Sequence, residues 1–305
     1  MLAVIDIGSN TIRLVIYSND GESPESMLNK KYAVGLAGYV DKSNHIRPEG
    51  IEILLNVLSD IRRILDYIKP ERVLPFGTAA LRNSANGGEI VSLIEKQCGL
   101  KVRILTGEEE AVFDYYGASE DGLGENGILA DVGGGSTEIT FFEKDKIVFA
   151  DSFPLGSLNL YKTYVGGLIP SPDEMRKIKK SVTGYLKNFS FPYEDIPDMP
   201  VYCVGGTARA ALKLIREYDP DKKKSREYDR GQLKDILSYV RDKPNVLLQS
   251  ILRTSPDRVH TVVPGMLVFQ AIAKYYNAKR LITSRFGVRE GYLAYCLKEE
   301  GHADE

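Results

Sequence analysis

The stretch ILADVGGGSTEIT, residues 128–140, sets three consecutive glycines between Asp131 and Glu138, inside what otherwise reads as two β-strands. Glycine weakens a strand, because it packs no side chain and loses the most conformational freedom on ordering. Three together mark a turn whose backbone must lie bare. Backbone N–H groups exposed in this way form concavities suited to anions.

The same device occurs earlier. DIGSNTIRLVIY, Asp6 to Tyr17, matches DVGGGSTEITFF, Asp131 to Phe142: an apolar run ends in Asp-x-Gly, a small polar turn follows, and a second run alternates as a strand does. One copy alone would be an ordinary hairpin turn. Two copies, each heading a segment of alternating strands and helices, point to two related α/β domains with phosphate-facing loops that meet across a cleft.

Working outward, Ile51, Leu54, Leu55, Leu58, Ile61, Leu65 and Ile68 share one helical face after Pro48, a residue suited to a first turn. RVLPF reads as a strand, Gly77-Thr78 as a turn into a helix ending near Gly99, KVRIL as a strand, and GEEEAVFDYYGAS as a helix with acids in its first turn. The first domain is expected over 1–118 and the second over 119–305. In the second, strands are expected at 127–132, 136–142 and 146–153, a helix near 172–189, and the strand VYCVG running into Gly205-Gly206-Thr207. Helices follow to about 277, then the strand RLITS and a last helix over 289–299, whose packing on either domain is left open. Linker composition occurs at 119–127, 191–200 and 218–229.

The 305 residues, 43% of them hydrophobic, suffice for two real cores. With 40 Lys+Arg against 42 Asp+Glu, no overall basic field draws in nucleic acid or an anionic membrane. The three cysteines, Cys98, Cys203 and Cys296, are widely spaced and form no CxxC pair, which argues against a disulfide framework or zinc site. The start lacks a signal-peptide pattern and no apolar run reaches the length of a membrane span, so a cytoplasmic protein is expected.

The duplicated hairpin resembles the superfamily of actin, sugar kinases and heat-shock chaperones. DIGSNTIRL, GTAALR (77–82), TGEEEA (106–111), DVGGGSTE (131–138), GGTARA (205–210), VPG (263–265) and GVREG (287–291) narrow this to a resemblance to the exopolyphosphatase and guanosine pentaphosphate phosphohydrolase (Ppx/GppA) family, short two-domain type. The match runs from about Leu2 to about Leu297. The fold implied is α/β, with two ribonuclease H-like (actin-like ATPase) domains and an interdomain cleft. The chain departs from the family in VGLAGYV, where Gly35 stands in place of a common arginine, and the loss of one phosphate contact is expected.

The activity implied is metal-dependent hydrolysis of the terminal phosphoanhydride bonds of inorganic polyphosphate, releasing orthophosphate. Its alternatives are removal of the 5′ γ-phosphate of guanosine pentaphosphate, or a non-catalytic alarmone or polyphosphate sensor. Such hydrolysis needs charge neutralisation on phosphoryl oxygens, an oriented water and a proton acceptor. The amides of Gly133, Gly134, Gly135 and Ser136, with those of Gly8, Ser9 and Asn10, are the candidate phosphate cradle. Gly206 and Thr207 are added from the second domain, Thr207 with its hydroxyl as well as its amide.

A carboxylate repels phosphate unless a cation intervenes. Asp131 and Glu138 are therefore read as holders of Mg²⁺ (or Mn²⁺), against the plainer reading that Asp131 bonds the turn and Glu138 faces solvent. The resemblance makes Glu110 the general base, with Glu109 in reserve; on charge pattern alone the run would be a solvated helix cap. Arg82, after the GTAALR turn, is given an oxyanion contact by the resemblance, for which its planar fork is suited. The partners implied are polyphosphate or guanosine pentaphosphate, and a homodimer is compatible with either.

His45, His260 and His302 are isolated and read as structural or surface residues. The runs RKIKK (176–180) and KKKSR (222–226) read as solvated faces, with tracking of a polyphosphate chain as the alternative.

Overall fold

A computed structural model describes residues 1–18, 24–188, 199–219, 221 and 223–301. The linker expected at 191–200 lies almost wholly outside the described residues, as do Lys222 of the KKKSR run and His302. The chain divides into two units, Met1–Gly107 and Glu108–Glu305.

In the first unit, β1 (Leu2–Ile7) and β2 (Thr11–Ser18) make the first hairpin and β3 (Glu25–Ala33) extends it. Then come α1 (Pro48–Ile68), β4 (Arg72–Gly77), the one-turn α2 (Ala79–Arg82), α3 (Gly87–Cys98) and β5 (Arg103–Ile104). The sheet order is β3-β2-β1-β4-β5. The first three strands are antiparallel, and β4 runs parallel to both β1 and β5.

Antiparallel register puts Ile5 opposite Leu14 and Ala3 opposite Ile16, so alternate residues of both strands share a face. That face packs against Leu54, Leu58, Ile61 and Leu65 of α1 and Ile90 and Ile94 of α3. Each fully buried Leu or Ile here contributes about 1.5–3 kcal/mol. Lys69, at φ 51, ends α1 in a left-handed cap and donates its N–H to Leu65 O at 2.7 Å. The helix expected to run unbroken after Thr78 is two helices, because Asn83–Asn86 turn the chain and Gly87 then sits against the Leu81 carbonyl, where a Cβ would collide.

The second unit contains α4 (Gly107–Ser119), β6 (Asn126–Val132), β7 (Thr137–Glu143), β8 (Lys146–Phe153), α5 (Ser157–Tyr164), α6 (Pro172–Asn188) and β9 (Val201–Val204). It continues through α7 (Gly205–Tyr218), β10 (Glu227–Asp229), α8 (Arg230–Asp242), α9 (Pro244–Thr254), α10 (Val262–Tyr275), β11 (Arg280–Thr283) and α11 (Val288–Gly301). Its sheet order is β10-β11-β9-β6-β7-β8. Setting aside the edge strand β10, both units share one topology: a three-stranded antiparallel meander whose first strand pairs in parallel with a later one. This is the ribonuclease H-like arrangement of actin-like ATPases that the family resemblance implied.

Strand parity divides this sheet. Ile128, Ala130 and Val132 face a core containing Met266, Phe269 and Ile272 of α10, a helix buried without a break from Val262 to Ala273. Leu129 faces the opposite way and packs with Tyr115 and Ala118 of α4. The intervening Asp131 therefore belongs to the α4 face.

Strands β3 and β10 carry no legible sequence pattern. β3 is mostly exposed on an edge, and the three residues of β10 lie in the charged stretch read as a linker. Among the described residues, no helix is long and apolar enough to cross a membrane.

Candidate active site

The glycine loop of the second unit is held by its carbonyls. Gly133 O accepts from Ser157 N at 2.8 Å and Ser157 Oγ at 2.9 Å; Gly134 O accepts from Leu158 N at 3.0 Å; Gly135 O accepts from Asn159 Nδ2 at 2.9 Å. The first turn of α5 thus takes up the oxygen side of the loop. The amides of Gly134 and Gly135 donate to no other group among the described residues. Gly156 lets α5 come this close, since a Cβ there would run into the Gly134 carbonyl and Gly135 nitrogen.

The first unit repeats the arrangement on its own loop. Ser9 O accepts from Ala37 N and Asn10 O from Gly35 N, both at 2.9 Å, but the Gly8 amide expected in the phosphate cradle donates to Thr11 O at 3.1 Å and closes the turn instead. Gly35 adopts φ 63, ψ 41, a left-handed conformation that glycine takes freely and an arginine enters only at a cost. Arg82 closes α2, and its Nη1 donates to Leu105 O at 3.0 Å.

Beneath the second loop, Asp131 on β6 and Glu138 on β7 are direct register partners. Glu138 is fully buried, so the solvent-facing alternative does not hold. Its Oε1 accepts from Ser136 Oγ at 2.6 Å and Ser152 Oγ at 2.7 Å. The Ser136 hydroxyl is therefore committed to the carboxylate, whereas the phosphate contact expected from sequence is the Ser136 amide. Thr207 is similarly committed: its hydroxyl donates to Val132 O at 2.9 Å. Gly205, at φ 85, abuts Asp131, whose carboxylate occupies the place a Cβ would need; Gly206 follows it in the first turn of α7.

Glu110, in the first turn of α4, is 7% exposed, not a solvated cap. One helical turn on, at i+4, stands Asp114, which is wholly buried. Its Oδ1 accepts from Val288 N at 2.7 Å, and its Oδ2 accepts no hydrogen bond among the described residues. Burial above all, then Asp131, Glu110 and Glu138 in that order, raise the Asp114 carboxyl well above the ordinary value of 3.8. The structure therefore gathers four carboxylates on the α4 face of the sheet. Three were named from sequence. Asp114 was missed, although its i+4 spacing from Glu110 was a usable signal.

Positive charge adjoins them. Burial and Arg289 press the Arg209 guanidinium below its ordinary value, while Asp131 and Glu290 act in the opposite sense. Arg258 lies against Gly206, its guanidinium where a Cβ would fall, and its Nη1 donates to Thr207 Oγ1 at 3.4 Å. Neither arginine was named from sequence. Arg209 is inside the GGTARA motif, whereas Arg258 arrives from the distant turn before α10 and left no local signal. Arg289 and Glu290, at the start of α11, form an ion pair at 3.9 Å.

The donor set suits Mg²⁺ in kind: Asp131 and Glu138 offer hard oxygen atoms. Among the described residues, no group of three or more His, Cys, Asp or Glu is assembled to hold a metal. Two carboxylates are what Mg²⁺ ordinarily takes from a protein, because substrate phosphates and waters fill its other positions.

A family model, that of the Ppx/GppA phosphatase family, matches residues 15–300, a span that includes this glycine loop, its supporting helix and the paired acids. The chain belongs to this family. A crystallised Ppx/GppA family member from Aquifex aeolicus is 27% identical, with a TM-score of 0.78 over 98% of both chains. Exopolyphosphatase 1 of Mycobacterium tuberculosis is 24% identical over 310 residues, which cover 98% of this chain and 89% of that protein. An exopolyphosphatase structure from Cytophaga hutchinsonii, 21% identical, has a TM-score of 0.81 over 98% of both chains and so shares the fold. Within the matched span, TGEEEA places Glu110 and DVGGGSTE places Asp131 and Glu138 on one face of one unit.

Proposed function

We propose that this Ppx/GppA phosphatase is a phosphoanhydride hydrolase, and specifically an exopolyphosphatase that releases orthophosphate from the end of inorganic polyphosphate. The observation that carries the reading is the buried Glu110 on the sheet face that also presents Asp131 and Glu138, below a glycine loop with bare amides. Relatives named exopolyphosphatase support the choice of substrate.

The terminal phosphoryl group rests on the amides of Gly133, Gly134, Gly135 and Ser136, with those of Gly206 and Thr207 as further phosphate contacts. Preorganised amides of this kind stabilise charge as it develops on phosphoryl oxygens without reorganising during the step. Glu110 orients a water and accepts its proton as the oxygen bonds to the terminal phosphorus. The phosphoanhydride bond breaks, and the electron pair leaves on the shortened chain. Arg258, beside Gly206 and Thr207, offsets negative charge on the phosphoryl oxygens. Mg²⁺, which Asp131 and Glu138 would hold, supplies further charge neutralisation when bound.

The test is orthophosphate release from short and long polyphosphate in Mg²⁺, run beside guanosine pentaphosphate. Faster release from polyphosphate that stops with chelator supports the proposal. Turnover of the nucleotide alone transfers the assignment to the alarmone phosphatase, and tight binding of either compound without release favours a sensor.

A further inference from the structure

A second charged feature of this unit lies apart from the glycine loop. Helices α6, α8 and α10 line an open pocket of about 830 Å³, within the size of small-molecule sites. Each helix gives it an i, i+4 pair: Lys179 and Thr183 from α6, Arg230 and Lys234 from α8, Gln270 and Lys274 from α10. That spacing stacks both members on one helical face. Three lysines and an arginine thus converge from three helices, with no carboxylate among the described lining residues.

Like charges so gathered repel one another unless something opposes them. Lys179 is half-buried. Burial first, then Lys274 and Lys234, press its ammonium below the ordinary value of 10.5. None of the three lysines has an ion-pair partner among the described residues. Arg230 is anchored by donating Nη1 to Ala273 O at 3.4 Å. Thr183 donates its hydroxyl to Lys179 O. A cation cluster with hydroxyl and amide groups at its edge, lacking any internal counter-charge, is completed by a multivalent anion.

We propose that this cavity binds an anion of two or more linked phosphoryl groups, at a site separate from the glycine loop. No lining residue belongs to that loop, to α4, or to β6 and β7. The inference rests on the cavity's own charge and not on the catalytic assignment. Linked phosphoryl groups come from two sources, a segment of a polyphosphate chain or a free compound such as a nucleoside triphosphate.

Lysine footprinting on the intact protein tests it. The chain is acetylated in chelator, so that no turnover intervenes, with and without tripolyphosphate, long-chain polyphosphate or ATP, and labelling is read lysine by lysine. The expected result is several-fold protection of Lys179, Lys234 and Lys274, lost at high salt, with exposed Lys42 and Lys146 unchanged. Protection by long polyphosphate alone identifies a chain segment as the occupant, and protection by ATP and tripolyphosphate identifies free compounds. The double variant K179M/K274M, checked by thermal melt, should lose protection at Lys234 and keep turnover of tripolyphosphate. Equal labelling with and without every probe overturns the site. Protection in a protein that hydrolyses nothing would overturn the catalytic reading alone, and hydrolysis with unprotected lysines would overturn this one alone.

Discussion

Asp131 and Glu138 face each other as register partners across β6 and β7, whereas the same position of the first hairpin pairs Asp6 with Arg13. Like charges directly opposite each other destabilise a sheet. The second hairpin keeps an acid–acid pair where the first has an acid and a base, which is the pattern expected if a cation completes it.

Glu138→Gln should therefore separate stability from activity. Glutamine retains an oxygen for the hydroxyls of Ser136 and Ser152 and removes the repulsion. The melting temperature is expected to hold or rise, while the Mg²⁺ concentration needed for half-maximal turnover rises about 10–100-fold. Metal titrations of both proteins check this.

Asp114 gives a pH signature. Its folded carboxyl stays protonated above 3.8, so beyond that pH the folded chain binds more protons than the unfolded one, and stability falls as pH rises toward the folded value. Asp114→Asn keeps an acceptor for Val288 N and removes the proton. Thermal melts should show no advantage for the variant below pH 4 and a growing advantage toward neutrality.

Asp121 has the opposite sign. Burial pushes its carboxyl up, but the Arg285 N–H at 2.8 Å, the Arg285 guanidinium at 2.6 Å and Arg226 outweigh this and hold it below 3.8. The stabilisation is complete above 3.8 and is lost as pH falls through the lower folded value. Asp121→Asn is expected to cost about 2–3 kcal/mol at neutral pH, a melting point lower by roughly 5–10 °C, with the difference shrinking in acid.

Gly156→Ala tests the support of the loop. The new Cβ meets backbone atoms of Gly134 and Gly135, which cannot rotate away as a side chain could. A cost of about 1–3 kcal/mol is expected, together with a large loss of turnover. Gly184→Ala on α6, with nothing within 4 Å of its Cβ, should instead stabilise by about 0.5–1 kcal/mol, leaving turnover unchanged.

The glycine-bearing hairpins and the helices α1, α4 and α6 were legible because each rests on local pattern: a repeat, a 3.6-residue period, or acids in a first turn. Pairing depends on register between segments, so the direct opposition of Asp131 and Glu138 and the commitment of the Ser136 and Thr207 hydroxyls to protein partners were not. Asp121 looked like linker composition, yet its side chain is only 2% exposed and joins Arg226 and Arg285. Its partners lie more than a hundred residues away. Arg258 was hidden for the same reason, and of the lysine cavity only Lys179, in the RKIKK run, stood out in the sequence, since tertiary folding assembles the rest from separate helices.

The most direct test of the account is orthophosphate release from polyphosphate by Glu110→Gln, with folding checked by circular dichroism and substrate binding by calorimetry. Loss of a base should lower turnover by about 10²–10⁴-fold while the fold and binding of polyphosphate remain. Turnover equal to that of the unsubstituted protein would contradict the assignment of Glu110, and with it the mechanism proposed.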